Sequence, residues 1–549
     1  TGARLEATRV VLETNREVAA AALSAGTALV LTDAVIRDTE AEARSSDFGY
    51  GLVVQDGGRV EASRLLLDRN RGAGILVALA GSTALLEDVV VRDTQSLRVD
   101  RSGGNGLVVQ LGAEVQVTRG TFLRNRDVGV LVGSGTARLT LTDVLVSGTG
   151  LAEDHLTPAW GLGVRDTGSL DASRIIVQRT QGVGIVSIGA GTSLSISDAI
   201  VRDNLSALGT PDVGTYGDGL QVQGGAQATL NRTLFDRNRT SGVLAVGEGT
   251  SLAATDLVVR NTDVEEGDTR GAAALIAQLG AQVDVARAVF ANNRYLAVNA
   301  IGSGAVLRMS DVLVRDTQAR NEDGFGGQGM SVTEAATVTI VRSIFLRNHD
   351  AGIATTGDGA VLALEDVVIR DTLPSEETGA FGRGLGANLG AHISASRLLV
   401  DGSRDLGIGV AGPGAVVSLT DATVRNTSGR ESDGEFGLGL DVWQGGRLDG
   451  LRVLFEGNRF GAVRVMEAGS RITFSDVVVR DTFGRQRDGW FGRGFEANQG
   501  GRGEITRGLF ERNREVGLIA GGVGSSLILQ DVTVRDTLGR DVDGRGGTG

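Results

Sequence analysis

Two segments of the chain hold residue types that could carry out acid–base or metal chemistry. One is Glu153-Asp154-His155-Leu156-Thr157-Pro158-Ala159-Trp160, which combines two acids, a histidine and one of only 3 tryptophans. The other, Asn204–Gly219, contains Pro211, Asp212, Tyr216 and Asp218. Asp154 with Asp212 or Asp218 could serve as general acid and base on a glycosidic bond, with His155 beside them. The same oxygens could instead gather around Ca2+, which accepts carboxylates and carbonyls readily. Ordinary drift of loop sequence accounts for both segments more simply.

Other chemistries are closed off. The 549 residues include no cysteine, which removes disulfides, thiolate zinc sites and cysteine nucleophiles together. Of the other two histidines, His349 stands in a column with Arg16, Arg71, Arg126 and Arg294 and reads as a replaced surface arginine. His392 falls in a polar column with Arg59, Glu114 and Gln227. No Ser-His-Asp set, metal-ligand cluster or phosphate loop can be assembled, and the many Gly-x-Gly strings read as turns. A net charge of −13 argues against a nucleic-acid backbone as partner. No apolar run approaches the roughly 20 residues that a membrane helix needs.

The elements that must position these residues emerge from internal repeats. An Asp recurs at Asp33, Asp88, Asp143, Asp198, Asp256, Asp311, Asp366, Asp421, Asp476 and Asp531; eight of the nine intervals are 55 residues and the other is 58. A second pattern, typified by Arg119-Gly-Thr-Phe-Leu-Arg-Asn125-Arg, recurs with the same period. Aligned on one another, the two patterns are versions of one coil, alternately 24 residues (Arg9 to Asp33) and 31 residues (Asp33 to Arg64) apart. Within a coil the apolar residues alternate, break and resume in the opposite phase, as in Leu29, Leu31, Ala34 and Ile36. That predicts two short strands joined by a sharp bend. Helical spacing is nowhere sustained.

Such a coil cannot bury its own apolar row and must stack on its neighbours, so the predicted fold is an all-β parallel β-solenoid of about twenty coils over residues 1–549, one continuous domain of ten repeats. At about 4.8 Å per coil it would extend roughly 95 Å. The column Phe122, Phe235, Phe290, Phe345, Phe455 and Phe510 is expected inside. Repeats run into both ends, so the chain also reads as a piece of a longer protein. The strings Phe-x-Arg-Asn-Arg-x-x-Gly-Val and Asp-Val-Val-Val-Arg-Asp-Thr resemble right-handed parallel β-helix proteins of the pectate-lyase-like superfamily, most of all its secreted bacterial members. The resemblance covers essentially the whole chain and implies the right-handed sense. Its members include polysaccharide lyases, galacturonan hydrolases, phage tailspikes and adhesins, so it implies a fold and not one activity.

Aligned coils expose a charge pattern. The column Arg9, Asp33, Arg64, Asp88, Arg119, Asp143 alternates sign throughout, and two later columns alternate as well. Stacking would place opposite charges about 5 Å apart, and a one-coil slip would bring like charges together. Most carboxylates therefore read as scaffold. The column containing Asn70, Asn125 and Asn513 reads as a turn ladder whose side chains satisfy backbone groups at the bends.

The longer coil carries seven extra residues in a loop, and insertions of this kind often form the binding face of a solenoid. Asp323, Asp433 and Asp488 recur there before Gly, and Phe381, Phe436 and Phe491 follow in phase, with Trp490 beside the last. Together with Trp160 and Tyr216 they are the candidate binding residues, for glycan through aromatic faces or for Ca2+ through grouped oxygens. The plainer alternative is a tight turn with an aromatic covering the coil edge. The function expected is a non-enzymatic extracellular or cell-surface scaffold, spacer or adhesin-like binder of a glycan or another surface protein. The alternatives are a polysaccharide lyase or glycosidase, and a subunit that associates end to end into a fibre.

Overall fold

The computed structural model describes residues 2–43, 47–207, 216–263, 272–321 and 323–549. Strand follows strand in a fixed rhythm: a ten-residue strand such as Ala28–Arg37, a corner, a six-residue strand such as Tyr50–Gln55, and a tight turn into the next long strand, Arg59–Asp68. No helix occurs among the described residues. Each long strand pairs in parallel with the long strand one coil away: Ala28 lies against Arg59, 31 residues on, and Arg59 against Thr83, 24 residues on. The short strands pair the same way, Leu52 with Ile75 and Ile75 with Leu107. The chain is a parallel β-helix. Its contacts group into two units, residues 1–275 with 280–283, and residues 276–279 with 284–549, each a stack of the same coil.

The predicted bend is real but does not divide the strand. In most coils one long strand runs through it, and the phase of burial reverses at its sixth residue: Leu29, Leu31, Ala34 and Ile36 are all buried. The reversal comes from one left-handed residue. Asp33, Arg64, Asp88 and Arg119 in the first unit, and Asp311, Arg342, Asp366 and Arg397 in the second, have φ between 48° and 57°. Left-handed backbone is ordinarily left to glycine because a Cβ crowds the following carbonyl. Here a charged residue takes it in every coil, and in most coils its side chain turns outward to an opposite charge one coil away.

Those partners are selective. Arg64 Nε donates to Asp33 at 2.5 Å, Arg119 to Asp88 at 2.6 Å and Arg174 to Asp143 at 2.7 Å, all 31 residues apart. The second unit repeats this at Arg342–Asp311 and Arg507–Asp476. In the next column the step changes and the direction stays: Arg92 reaches back 24 residues to Asp68 at 3.1 Å, and Arg480 to Glu456 at 2.8 Å. A third column, Arg69–Asp38 and Arg347–Asp316, again spans 31. The expected chequerboard therefore resolves into discrete pairs, and both the 24-residue and the 31-residue step have their own ties. The bonds from Arg64 hold the Asp33 carboxyl below its ordinary range, as those from Arg119 hold Asp88.

Inside each unit lie Val, Leu and Ile rows and the six predicted phenylalanines, all at most 1% exposed. The asparagine column is also inside. Asn125 Nδ2 donates to the Val91 carbonyl of the preceding coil at 3.1 Å, and its Oδ1 accepts from Thr94 N at 3.2 Å and Thr94 Oγ1 at 2.8 Å. Asn70 and Asn513 do the same for Ile36 and Val479. These amides satisfy corner groups of the coil before, across the stack, instead of those of their own bend. Room for the amide comes from glycine: a Cβ on Gly106 would sit 2.8 Å from Asn125 Nδ2.

Two outcomes follow from this geometry. Asn125→Ala strands the Val91 carbonyl and Thr94 donors in the core and is expected to lower unfolding free energy by about 1–3 kcal/mol in urea titrations. Asp88→Arg should lower Tm, and adding Arg119→Asp should restore part of the loss; equal melting of the single and double variants would show that the pair contributes no register-specific stability.

Candidate functional site

The seven extra residues of the longer coils fold back on themselves. Arg485 N donates to the Trp490 carbonyl at 2.7 Å, Gly489 N to the Arg485 carbonyl at 2.8 Å, and Trp490 N to Asp488 Oδ1 at 3.1 Å. Arg485 then clamps the Asp488 carboxylate from its own loop. The same closure recurs at Arg320–Asp323–Phe325 and Arg540–Asp543–Arg545. Asp433 accepts Glu435 N at 2.8 Å. Asp323, Asp433 and Asp488 thus turn toward their own loops, not toward a shared cation. For Asp323 the backbone donor is the main reason its carboxyl is held low; for Asp488 it is the arginine. Among the described residues no group of three or more His, Asp or Glu side chains comes together as a metal site.

The loops also join one another. In the first unit Asp154 N donates to the Arg101 carbonyl at 3.1 Å and Glu153 N to Ser96 Oγ at 3.1 Å. In the second, Ser432 N donates to the Gly379 carbonyl and Arg487 N to the Gly434 carbonyl. A column of arginines fastens them from beneath: Arg71 to the Ser96 carbonyl at 3.1 Å, Arg294 to Ala319 at 2.8 Å and Arg514 to Gly539 at 3.0 Å. His349 fills this column and keeps its task, with Nδ1 2.9 Å from the Pro374 carbonyl and Nε2 3.4 Å from Glu376. It is a part-buried clamp and not the surface side chain that its column suggested. His392 is exposed.

The candidate aromatics are already in use. Arg383 lies 4.9 Å from the Phe381 ring, Arg430 4.0 Å from Phe436, Arg493 4.7 Å from Phe491 and Arg540 4.1 Å from Trp490. Such stacking is worth about 0.5–1 kcal/mol at exposed sites, and it removes one face of each ring from a row of sugar platforms. In the first unit Tyr216 packs against Leu151, Ala159 and Ala207. Trp160 lies over Gly163, where an added Cβ would come within 2.8 Å of the indole.

Of the proposed acid–base group, Asp218 turns into the interior. Asp212 lies outside the described residues. Asp218 is 2% exposed; it accepts from Ser241 Oγ and, at 2.6 Å, from Gln221 Nε2. It is therefore an interior acid, because the chain carries it past the loop to the start of the short strand. Burial pushes its carboxyl up to about 6. Asp154 is partly buried and accepts Leu156 N at 3.1 Å, while His155 is exposed. The acid that shares the neighbourhood of Asp154 is Asp127, at the base of the loops. Burial and then the Asp154 charge push Asp127 up to about 6, against the pull of Arg165. The sequence does not single it out, since its column also holds Gly72, Gly182 and Thr240.

A second group escaped the sequence altogether. Near the loop 428–438, Asp405 (1% exposed) accepts Arg383 Nε at 3.1 Å and Arg430 Nε at 2.8 Å. One strand row away, Asp441 (5% exposed) takes both Arg464 Nε and Nη2, at 3.0 and 2.6 Å. Trp443 stands beside them at the edge of a cavity of about 220 Å3.

No protein-family model matches the chain, and no curated protein does. Among solved structures, the Vag8–C1 inhibitor complex is similar at 14% identity over 98% of this chain and 99% of that one, with a TM-score of 0.36. PfbA, a surface adhesin of Streptococcus pneumoniae, gives 10% identity over 72% and 82%, TM-score 0.28. Pectate lyase Pel9A gives 11% over 52% and 70%, TM-score 0.28.

The part-buried Asp127 sets a sign for pH. Asp127 holds its proton more tightly folded than unfolded, so it favours the fold below about pH 4, and that contribution is lost as pH rises from about 4 through about 6. Asp127→Asn should therefore stabilise the protein above pH 6 by about 1–2 kcal/mol and flatten this part of the profile, read as Tm against pH. Unchanged Tm at pH 7 would show that Asp127 is solvated when folded.

Proposed function

We propose that this chain is a non-enzymatic extracellular or cell-surface β-helix scaffold whose loop-bearing face binds a glycan or another surface protein. The observation that carries the reading is the loop layer. Its loops are closed by their own hydrogen bonds, joined to their neighbours and fastened from beneath by arginine. A surface ordered before any partner arrives spares the partner the cost of ordering it. The scaffold in turn occupies most acids and arginines in coil-to-coil pairs, leaving few charged groups free for chemistry.

One observation favours a second reading, a glycan-cleaving enzyme. Asp127 lies at the base of the loops near Asp154, and burial first and that neighbour second push its carboxyl up, as an acid catalyst requires. An array of neutral and acidic polysaccharides, scored for binding and for released product, separates the two. Binding without product is the expected result. Product that disappears in both Asp127→Asn and Asp154→Asn would establish the enzyme and overturn the scaffold.

A further inference from the structure

The cavity beside the loop 428–438 adjoins a stretch of the short-strand sheet that carries two glycines. In the second unit the outward column of the short strands reads Ser331, Ala354, Gly386, Gly409, Asp441 and Arg464 in successive coils. Two coils without side chains precede two with charged ones, and the sheet surface sinks between them. A Cβ on Gly386 would meet nothing nearer than Asn388 Nδ2 at 3.7 Å. A Cβ on Gly409 would meet Leu406 Cδ1 at 3.3 Å and the Trp443 ring at 3.4 Å, so the indole packs down on this glycine at the edge of the cavity.

Trp443 differs from the other aromatics of this face. Phe381, Phe436, Phe491 and Trp490 each carry a guanidinium over the ring; Trp443 carries none among the described residues. The polar rim is likewise unfilled. Arg383 and Arg430 spend Nε on Asp405, which leaves the Nη groups of Arg383 and Nη2 of Arg430 without a hydrogen-bond partner among the described residues. The Glu467 carboxylate at the same rim has none either. Donors and an acceptor thus stand open beside a bare indole face. Three guanidinium groups, those of Arg383, Arg430 and Arg464, share the lining with the carboxylates of Asp405, Asp441 and Glu467. Asp433 adds another acid 3.8 Å from Arg430. No positive surplus remains to draw an anion.

We infer that this hollow binds one neutral sugar ring, its apolar face against Trp443 and its hydroxyls shared between the free Nη groups and Glu467. A hydroxyl both donates and accepts, which suits a rim offering both. At about 220 Å3 the hollow is smaller than the roughly 300–1,000 Å3 pockets that enclose drug-sized ligands, as a site for a single ring should be. The inference rests on the glycan-binding reading above and narrows it to one site and one class of sugar.

The test is ligand-observed NMR of the whole chain with methyl glycosides of glucose, galactose and mannose, and with glucuronate and galacturonate. At least one neutral glycoside should bind saturably. Trp443→Ala and Glu467→Gln should each weaken it, the former about tenfold, the scale of one lost aromatic contact, while Trp490→Ala leaves it unchanged. Glu467→Gln lies at the surface and keeps the outcome readable if Trp443→Ala melts early. Tighter binding of the uronates would overturn the neutral-sugar inference and leave glycan binding intact. Polysaccharide binding that both variants leave untouched would overturn the site alone. Failure of every sugar and polysaccharide would overturn the site together with the glycan-binding reading.

Discussion

Each unit depends on holding a charged residue in left-handed backbone at the same point of every coil. That residue reverses the phase of a strand that would otherwise run straight, so both halves of the strand can face one interior. It costs of order 1–3 kcal/mol where nothing supports it, and support comes from the neighbouring coil. Parallel pairing brings Arg64 onto Asp33 and Arg119 onto Asp88 at hydrogen-bonding distance. Bend and stack are therefore mutually dependent: the bend creates the face that stacks, and stacking supplies the partner that steadies the bend.

The interior uses the same logic with neutral groups. A coil that turns corners leaves backbone donors and acceptors without strand partners, and water does not reach them. Asn125 takes one carbonyl and one amide of the coil before it, and Gly106 leaves space for the amide. The loops extend this inter-coil bonding to the surface, where Arg71 and Arg294 reach the loop carbonyls of the following coil. Interior, edge and loop layer are thus ordered by contacts of one kind, made one coil away.

Much of this was legible because repetition turns a weak signal into a column. The Phe122 and Phe235 positions, the reversal of phase at Asp33 and the sign alternation from Arg9 to Asp143 all stand out as columns in the sequence. Direction could not: an Asp between two arginines is equally opposite to both, and only backbone geometry selects the partner 31 residues ahead. The asparagines were recognised as a ladder, but not as interior groups serving another coil. Asp218 looked like a loop acid because the loop before it varies in length. Trp443 was invisible for a different reason. Its setting depends on Gly409, which is ordinary in a chain with 84 glycines until the stack puts it under the indole.

The alternating ties also bear on how such a chain can grow. Asp33 looks forward and Glu456 looks forward, but across steps of different length. Duplicating a single coil would set two bends of the same sign against each other, whereas duplicating a pair leaves every bond as it was. The insertion between Asp198 and Arg232 obeys this rule, since the two still meet at 2.6 Å although 34 residues separate them. The unit of inheritance is then the coil pair, and new loops can be tried at its long corner without disturbing the grammar of charge that joins one pair to the next.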